Sequence, residues 1–337
     1  MVKNQISDRR AAKAFRGLTF SGYKKSAAKT ELLNSIRRGL LEEACYWSAE
    51  YVCGGHTNDL WEIVMEYMAK YIHLANPSLP HYLEVRRRSF EEVACSVGTK
   101  LHLTLRNNAK VRDIFAEVIC VLCLSKKQHA FTPIKIKAED FTATYISSHV
   151  RAPNRQYIGS VFKTNDPPEL LVPSNELAYT ISCASKDSAR ACYWAEWMLE
   201  YERRCKKIKD TSFTCANRRF IKGQTALACG VVWLIWNIIL KEAASRDGHQ
   251  LAIIRSLIYL FTTNYKKGSV IRRRMLIYFA ISTLTESFDA SLTLYSDKKT
   301  IEDVIAHIAL IYGQVKTNEI RPKTDYLFKG LIPTTDD

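Results

Sequence analysis

The sequence predicts an all-α protein built from two related multi-helix halves. Apolar residues recur at spacings of three and four through most of the 337 residues, as they do on the buried face of a helix. Glycine and proline are scarce, at 13 and 9 residues, and most fall between these periodic segments. A short aromatic motif also occurs twice. We therefore expect two halves packed as a helical array, with an extended basic N-terminal arm and an extended C-terminal tail.

The arm is predicted over residues 1–28, which are basic and punctuated by Gly17 and Gly22. We expect it to dock on a partner and to contribute nothing to the core of its own chain.

The first half is predicted over residues 29–150. Thr30 is suited to cap a first helix that Gly39 ends. Apolar residues then keep helical spacing from Leu40 to Val52, where Gly54 and Gly55 interrupt the pattern. The same reasoning predicts further helices over residues 59–76, 80–96, 107–124 and 138–148.

A linker is predicted over residues 151–173, because helical periodicity lapses there. The segment holds Pro153, Pro167, Pro168 and Pro173, and proline is unfavourable inside a helix. This is the clearest boundary between two halves.

The second half is predicted over residues 174–316, followed by the tail at 317–337. Its longest apolar run, Leu227 to Leu240, is shorter than the roughly 20 residues that cross a membrane, so a buried core helix is expected. Helices are predicted near residues 174–184, 187–208, 224–245, 249–264, 270–285 and 299–316.

The repeated motif supports an internal duplication. Ala44-Cys45-Tyr46-Trp47 recurs as Ala191-Cys192-Tyr193-Trp194, and an Ala-Glu pair follows each copy. Small residues allow helices to approach closely, and tryptophan fills the space between them. We therefore expect Trp47 and Trp194 to be structural core residues.

Positive charge is concentrated in two segments. Residues 1–38 carry a net charge of +8 and residues 203–222 a net charge of +7, which together equal the +15 of the whole chain. Such segments are typical of contact surfaces for an anionic partner. The predicted contact residues are Arg9, Arg10, Lys13, Arg16, Lys24, Lys25, Arg203, Arg204, Lys206, Lys207, Lys209, Arg218, Arg219 and Lys222.

Sequence motifs for catalysis are missing. The chain has neither a Gly-rich phosphate loop nor an H-E-x-x-H zinc motif, and Cys120-x-x-Cys123 has no second pair. Glu62 with Glu66, and Glu196 with Glu200, are expected to lie on solvated helix faces. The arginine runs at 86–88 and 272–274 suit structural ion pairs at least as well as anion binding. We predict no enzyme activity, no cofactor, no metal and no small-molecule substrate.

The ten cysteines are expected to be reduced thiols. Cys45, Cys120, Cys123, Cys192 and Cys229 lie within apolar helical patterns, where free cysteine behaves as a small buried apolar residue. The charged start of the chain does not resemble a secretory leader. We therefore expect a protein that is neither secreted nor transmembrane.

Two resemblances add to these observations. Leu41 to Pro77, with Tyr46-Trp47, Asp59-Leu60-Trp61 and His73-Leu74-Ala75-Asn76-Pro77, together with Thr324 to Phe328, resembles a family of poorly characterised proteins of large nucleocytoplasmic DNA viruses, over about residues 28–330. Residues 31–80 also resemble the helical collar of RarA-type clamp-loader-like ATPases. The chain departs from that family because it lacks a nucleotide-binding domain and has Tyr71-Ile72-His73 where an acidic stretch is expected.

The virus-family resemblance implies a virion structural protein, such as a minor capsid or scaffold component assembled in the host cytoplasm. Its expected partners are other virion proteins of the shell or scaffold, with nucleic acid and an anionic membrane surface as further candidates. The alternative is a DNA-binding accessory protein for viral DNA replication, repair or packaging, with a collar-like helical fold.

Overall fold

A computed structural model describes residues 4–97, 103–208, 213–221, 225–295 and 297–320. Across these ranges the regular structure is helical apart from one isolated bridge between Leu18 and Lys24, which confirms the all-α class. The α-helices are α1 Lys25–Arg38, α2 Leu41–Cys53, α3 Thr57–Tyr67, α4 Leu79–Val97, α5 Ala109–Leu124, α6 Ala143–His149, α7 Leu171–Ile181, α8 Ser188–Lys207, α9 Thr225–Ala228, α10 Val231–Ala244, α11 Gly248–Thr262, α12 Ser269–Thr285 and α13 Lys298–Lys316.

The first helix begins earlier than predicted. Helix α1 starts at Lys25, whose backbone N–H donates to the carbonyl oxygen of Gly17. Thr30 does not cap the helix, because its hydroxyl donates to the Ser26 carbonyl oxygen one turn back. Gly39 ends α1 as predicted, with a φ of 72° that suits glycine.

Two other predicted helices are interrupted. The helix predicted over 59–76 leaves α-geometry after Tyr67, with a π-helical turn at Met68–Ile72 and a 3-10 turn at His73–Ala75. The helix predicted over 224–245 is divided at Gly230, whose backbone is extended.

Two compact units divide the chain discontinuously. Unit 1 comprises Met1–Ile63, Arg88–Leu124 and Asp297–Asp337, and unit 2 comprises Val64–Arg87 and Ser125–Ser296. These units do not follow the predicted division at 151–173, because α13 packs on α2 and α5 of unit 1. The duplication itself stays a prediction.

The core of unit 1 forms where α1, α2, α5 and α13 pack together. Trp61 lies 5.3 Å from Phe115 and 5.9 Å from Phe90 between ring centroids, and all three rings are buried. Cys45, Cys120 and Cys123 are buried in the same unit, as predicted. Each large apolar side chain removed from water contributes about 1.5–3 kcal/mol to stability.

The core of unit 2 is centred on α10, which packs on α7, α8, α11 and α12. Val231, Trp233, Trp236 and Ile239 are buried, so the predicted core helix is confirmed. Over the described ranges, every helix is too short or too polar to cross a membrane.

The predicted linker is a packed segment of unit 2. It contains 3-10 turns at Gly159–Val161 and Pro168–Leu170 and leads directly into α7. The buried Glu176 carboxylate accepts hydrogen bonds from the backbone N–H groups of Arg151 and Ala152, at 2.9 Å each. Pro173 lies in the first turn of α7, where a backbone N–H is not required.

Candidate anion-binding surface

The N-terminal arm belongs to the core of unit 1, contrary to the prediction. Ile6, Phe15 and Phe20 are at most 2% exposed. Asn107 holds Ile6 from both sides, since its side chain accepts from the Ile6 N–H and donates to the Ile6 carbonyl oxygen, at 2.8 Å each. The prediction failed because these three apolar residues follow no period, so sequence pattern did not mark them as core.

Two buried arginines fix the arm backbone. Arg106 donates to the carbonyl oxygen of Asp8 at 3.1 Å, and Arg112 donates to that of Asn4 at 3.1 Å. The Arg112 guanidinium also lies 4.0 Å from the centre of the buried Tyr312 ring. Because guanidinium groups satisfy the arm carbonyls, residues 4–8 have a defined path on unit 1.

Arg10 is engaged inside unit 1 and is not available as a contact residue. Its guanidinium pairs with both carboxylate oxygens of Asp8 and lies 4.8 Å from the ring centres of Phe15 and Phe20. Burial alone would raise the pKa of Asp8, but hydrogen bonds from Arg10 and from the Ile320 N–H hold it below its ordinary value. The carboxylate therefore stays ionised and keeps Arg10 in place.

A tight turn follows between residues 16 and 25. Gly17 has a φ of 80°, and the bridge between Leu18 and Lys24 closes the turn. The Nε2–H of His56 donates to the carbonyl oxygens of Phe15 and Leu18, at 3.0 and 2.7 Å. These contacts fix the turn on unit 1.

Lys25 is also engaged, because its Nζ lies 2.6 Å from the Asp59 carboxylate. The other predicted contact residues of the arm are exposed, and none forms an ion pair with a carboxylate of the described chain. They are Arg9, Lys13, Arg16 and Lys24, and we refer to these four as the arm cations.

Much of the second basic segment is paired along its own helix. Arg203 and Arg204 contact Glu200, and Lys206 contacts Glu202 at 2.8 Å. Both carboxylates lie just before the basic segment 203–222, and spacings of three and four residues along the helix place them beside these cations. The local excess of positive charge is therefore smaller than the sequence count indicated, and this pairing was readable from the sequence.

Arg218 has a structural role in place of the predicted contact role. Its side chain and that of Asp166 are both 0% exposed and form an ion pair. Lys207 and Arg219 are exposed. Lys209 and Lys222, which were also predicted as contact residues, lie outside the described residues.

The two motif tryptophans differ. Trp194 is 1% exposed and lies in the core as predicted, whereas Trp47 is only partly buried, so its assignment to the core was wrong. Trp47 lies at the surface of α2, where the ring of Tyr23 packs edge-on against it with 5.2 Å between centroids. Tyr23 is 47% exposed. An aromatic pair with one exposed and one partly buried ring therefore lies beside Lys24, and sequence reasoning missed it because Tyr23 belongs to the arm.

Other polar groups are engaged in packing. Glu196 is buried, accepts a hydrogen bond from Tyr278 at 3.1 Å and lies 3.6 Å from Arg274. It is therefore not on a solvated face as predicted, whereas Glu200 pairs with Arg203 on the surface of α8. Arg273 donates to the carbonyl oxygens of Phe261 and Thr263, so the run at 272–274 serves packing.

An open pocket of about 520 Å³ in unit 2 includes Arg246, Gln250 and Glu286 in its lining. Each of the three is engaged in unit 2. Arg246 pairs with Glu242, Gln250 donates to the Thr283 carbonyl oxygen and Glu286 accepts from Ser188. Within the described ranges, His, Cys, Asp and Glu side chains form no group of three that could hold a metal ion.

Comparisons with known protein families, with curated proteins and with solved structures find no match. The virus-family and collar resemblances therefore stay predictions.

Proposed function

We propose that the protein is a non-enzymatic structural protein of a virus particle that holds an anionic neighbour through the arm cations. The observation that carries the proposal is that four exposed cations without a carboxylate partner in the described chain lie on a segment fixed to unit 1. Cations held on a folded surface lose less conformational entropy on binding than cations on a free tail. Rigid attachment suits a protein whose role is lasting contact.

Most of the other predicted contact residues already pair with carboxylates, which supports the arm cations as the contact surface. Arg10, Lys25, Arg203, Arg204, Lys206 and Arg218 are already paired with carboxylates. Removing them from the part of the predicted contact set that the structure describes leaves Lys207 and Arg219 in unit 2, against four residues within sixteen positions of the arm. Among the predicted contact residues that the structure describes, the arm cations are therefore the largest group without a carboxylate partner.

The virion location follows from the resemblance over residues 28–330. Mass spectrometry of purified particles of the virus that encodes the chain tests it. Recovery at a constant ratio to the shell proteins is expected, and absence from the particles would overturn the location.

Binding by the arm cations is tested separately with heparin, a generic polyanion. We expect the full chain to bind, and the variant R9A/K13A/R16A/K24A to bind at least about tenfold more weakly. The matched control removes four exposed cations of unit 2, Lys126, Lys135, Arg155 and Lys267. Equal losses in both variants would contradict a dedicated surface.

The second candidate is a DNA-binding accessory protein. The pair of the exposed Tyr23 and the partly buried Trp47 favours it, because aromatic rings among cations are typical of surfaces that bind nucleic acid. This candidate uses the same surface and predicts binding to DNA without a constant place in the particle.

A further inference from the structure

Exposure of Tyr23 and Trp47 needs an explanation that packing does not give. The chain has six tryptophans, and five of them are at most 2% exposed: Trp61, Trp194, Trp197, Trp233 and Trp236. Trp47 is the exception, and the ring packed on it is itself 47% exposed. Large aromatic rings left in water are a feature of binding surfaces.

Unit 2 shows how the same motif is covered when it serves packing. Trp194 lies beside Trp197, and Trp197 contacts Phe141 at 4.9 Å between ring centroids. His149 lies over Tyr193 at 26° and is stacked on Tyr145 at 3.9 Å. Planar rings thus stack on the Tyr-Trp pair of α8, whereas the Tyr-Trp pair of α2 keeps part of its surface open.

Cations and carboxylates both lie near Tyr23 and Trp47. Lys24 follows Tyr23 directly, and the bridge at Leu18 brings the chain after Arg16 beside it. Glu50 is buried and accepts hydrogen bonds from Ser21. Glu43 is exposed one turn before Trp47. The surface therefore offers aromatic rings and cations together, and the exposed carboxylates of Glu42 and Glu43 lie in the first turn of the same helix α2.

We propose that this surface binds single-stranded nucleic acid, with bases stacked on Tyr23 and Trp47 and phosphates bound by Arg16 and Lys24. The inference rests on the proposed role of the arm cations and names their partner. A duplex fits less well, because its bases are stacked on one another and their faces are not free. An acidic protein segment would use the cations but would gain little from the faces of the two aromatic rings.

Fluorescence titration of the full chain tests the proposal, because Trp47 is the tryptophan that a bound base can reach. The probes are a dT oligonucleotide, a duplex of equal length and poly-glutamate. We expect the dT oligonucleotide to quench emission and to bind at least about fivefold more tightly than the duplex. The W47F variant should lose the quenching.

Variants of Tyr23 separate stacking from charge. Y23L keeps an apolar side chain of useful size, so it should fold, but it removes the aromatic face. It should weaken binding to dT about fivefold or more while leaving duplex binding unchanged. F131A is the control, because Phe131 is 41% exposed in unit 2, and it should change neither affinity.

The outcomes distinguish this inference from the proposed function. Equal affinity for dT and duplex, with both lost in R16A/K24A, would overturn base stacking and leave the role of the arm cations standing. Tighter binding of poly-glutamate than of dT would also overturn it. Failure to bind any of the three probes, or heparin, would overturn both.

Discussion

The guanidinium of Arg218 and the carboxylate of Asp166 form an ion pair that is fully buried in unit 2, with Nη1 2.9 Å from Oδ1. The same carboxylate accepts hydrogen bonds from the N–H groups of Lys163 and Ala216. The pair joins two segments 52 residues apart, so a cation that looks available in sequence has a structural role.

Removing one member of this pair should destabilise the protein strongly. R218M leaves the Asp166 carboxylate buried without its cation, and the expected loss is about 3–5 kcal/mol in the free energy of unfolding. Urea denaturation measures it. R219M is the control, because Arg219 is the exposed neighbour, and it should change the free energy by about 0.5 kcal/mol or less. Similar values for both variants would contradict the buried pair.

Arg10 should hold the arm on unit 1. In R10K the charge is kept, but the planar group that lies against both Phe15 and Phe20 and the two-point contact with Asp8 are lost. Cleavage within residues 4–24 by the protease Glu-C at Asp8, or by chymotrypsin at Phe15 and Phe20, should become faster by on the order of tenfold. R9K serves as the control, and an arm cleaved equally fast in the wild-type protein would show that Arg10 does not hold it.

The two motif tryptophans should differ in their contribution to stability. W194A opens a cavity in the core of unit 2 and should cost about 3–5 kcal/mol. W47A removes a ring that is already partly in water, and its cost should be roughly half of that or less. Chemical denaturation measures both, and equal costs would show that the motifs are equivalent after all.

Stability should fall in mild acid, partly because of His73. Burial is the largest influence on the pKa of His73 and lowers it, while Nδ1 donates to the Ala69 carbonyl oxygen at 3.2 Å. As the pH falls below about 6.5, His73 therefore binds a proton in the unfolded chain before it does so in the folded protein. The free energy of unfolding decreases over this range of pH, until the pH reaches the lower pKa of His73 in the folded protein.

The share of His73 in that slope is at most about 1.4 kcal/mol per pH unit. H73N suits the test, because asparagine tolerates the positive φ of 50° at this position better than most residues. Unfolding measured from pH 7.5 to 5 should show a shallower slope in this variant. A slope identical to that of the wild-type protein would mean that His73 does not titrate differently on folding.

Local patterns in the sequence predicted the helices well. Periodicity and glycine placement located α2, α5, α8 and α13 to within a few residues, because these signals lie within each helix. The apolar run of α10 likewise marked a buried core helix. Burial of the arm was not readable, since it depends on contacts between residues distant in sequence, such as those of Asn107 with Ile6 and of Arg106 with Asp8.

The candidate surface was predicted in part. The density of positive charge identified the arm, but it could not separate Arg10 from Arg9, because the difference is the contact of Arg10 with Asp8 and with the rings of Phe15 and Phe20. It also missed Tyr23 and Trp47, whose proximity depends on how the arm folds back onto α2. The pairing of Arg203 with Glu200 was readable from their spacing of three residues, because Glu200 lies just before the basic segment 203–222.

The salt dependence of polyanion binding tests the central claim most directly. For a dT oligonucleotide, the plot of log affinity against log salt concentration has a slope of about −0.7 for each phosphate contact. R9A/K13A/R16A/K24A should flatten the slope by at least about 1.4 units, the share of Arg16 and Lys24, and by up to about 2.8 units if all four arm cations contact phosphates, and the control variant in Lys126, Lys135, Arg155 and Lys267 should leave it unchanged. An unchanged slope in the arm variant would contradict the account.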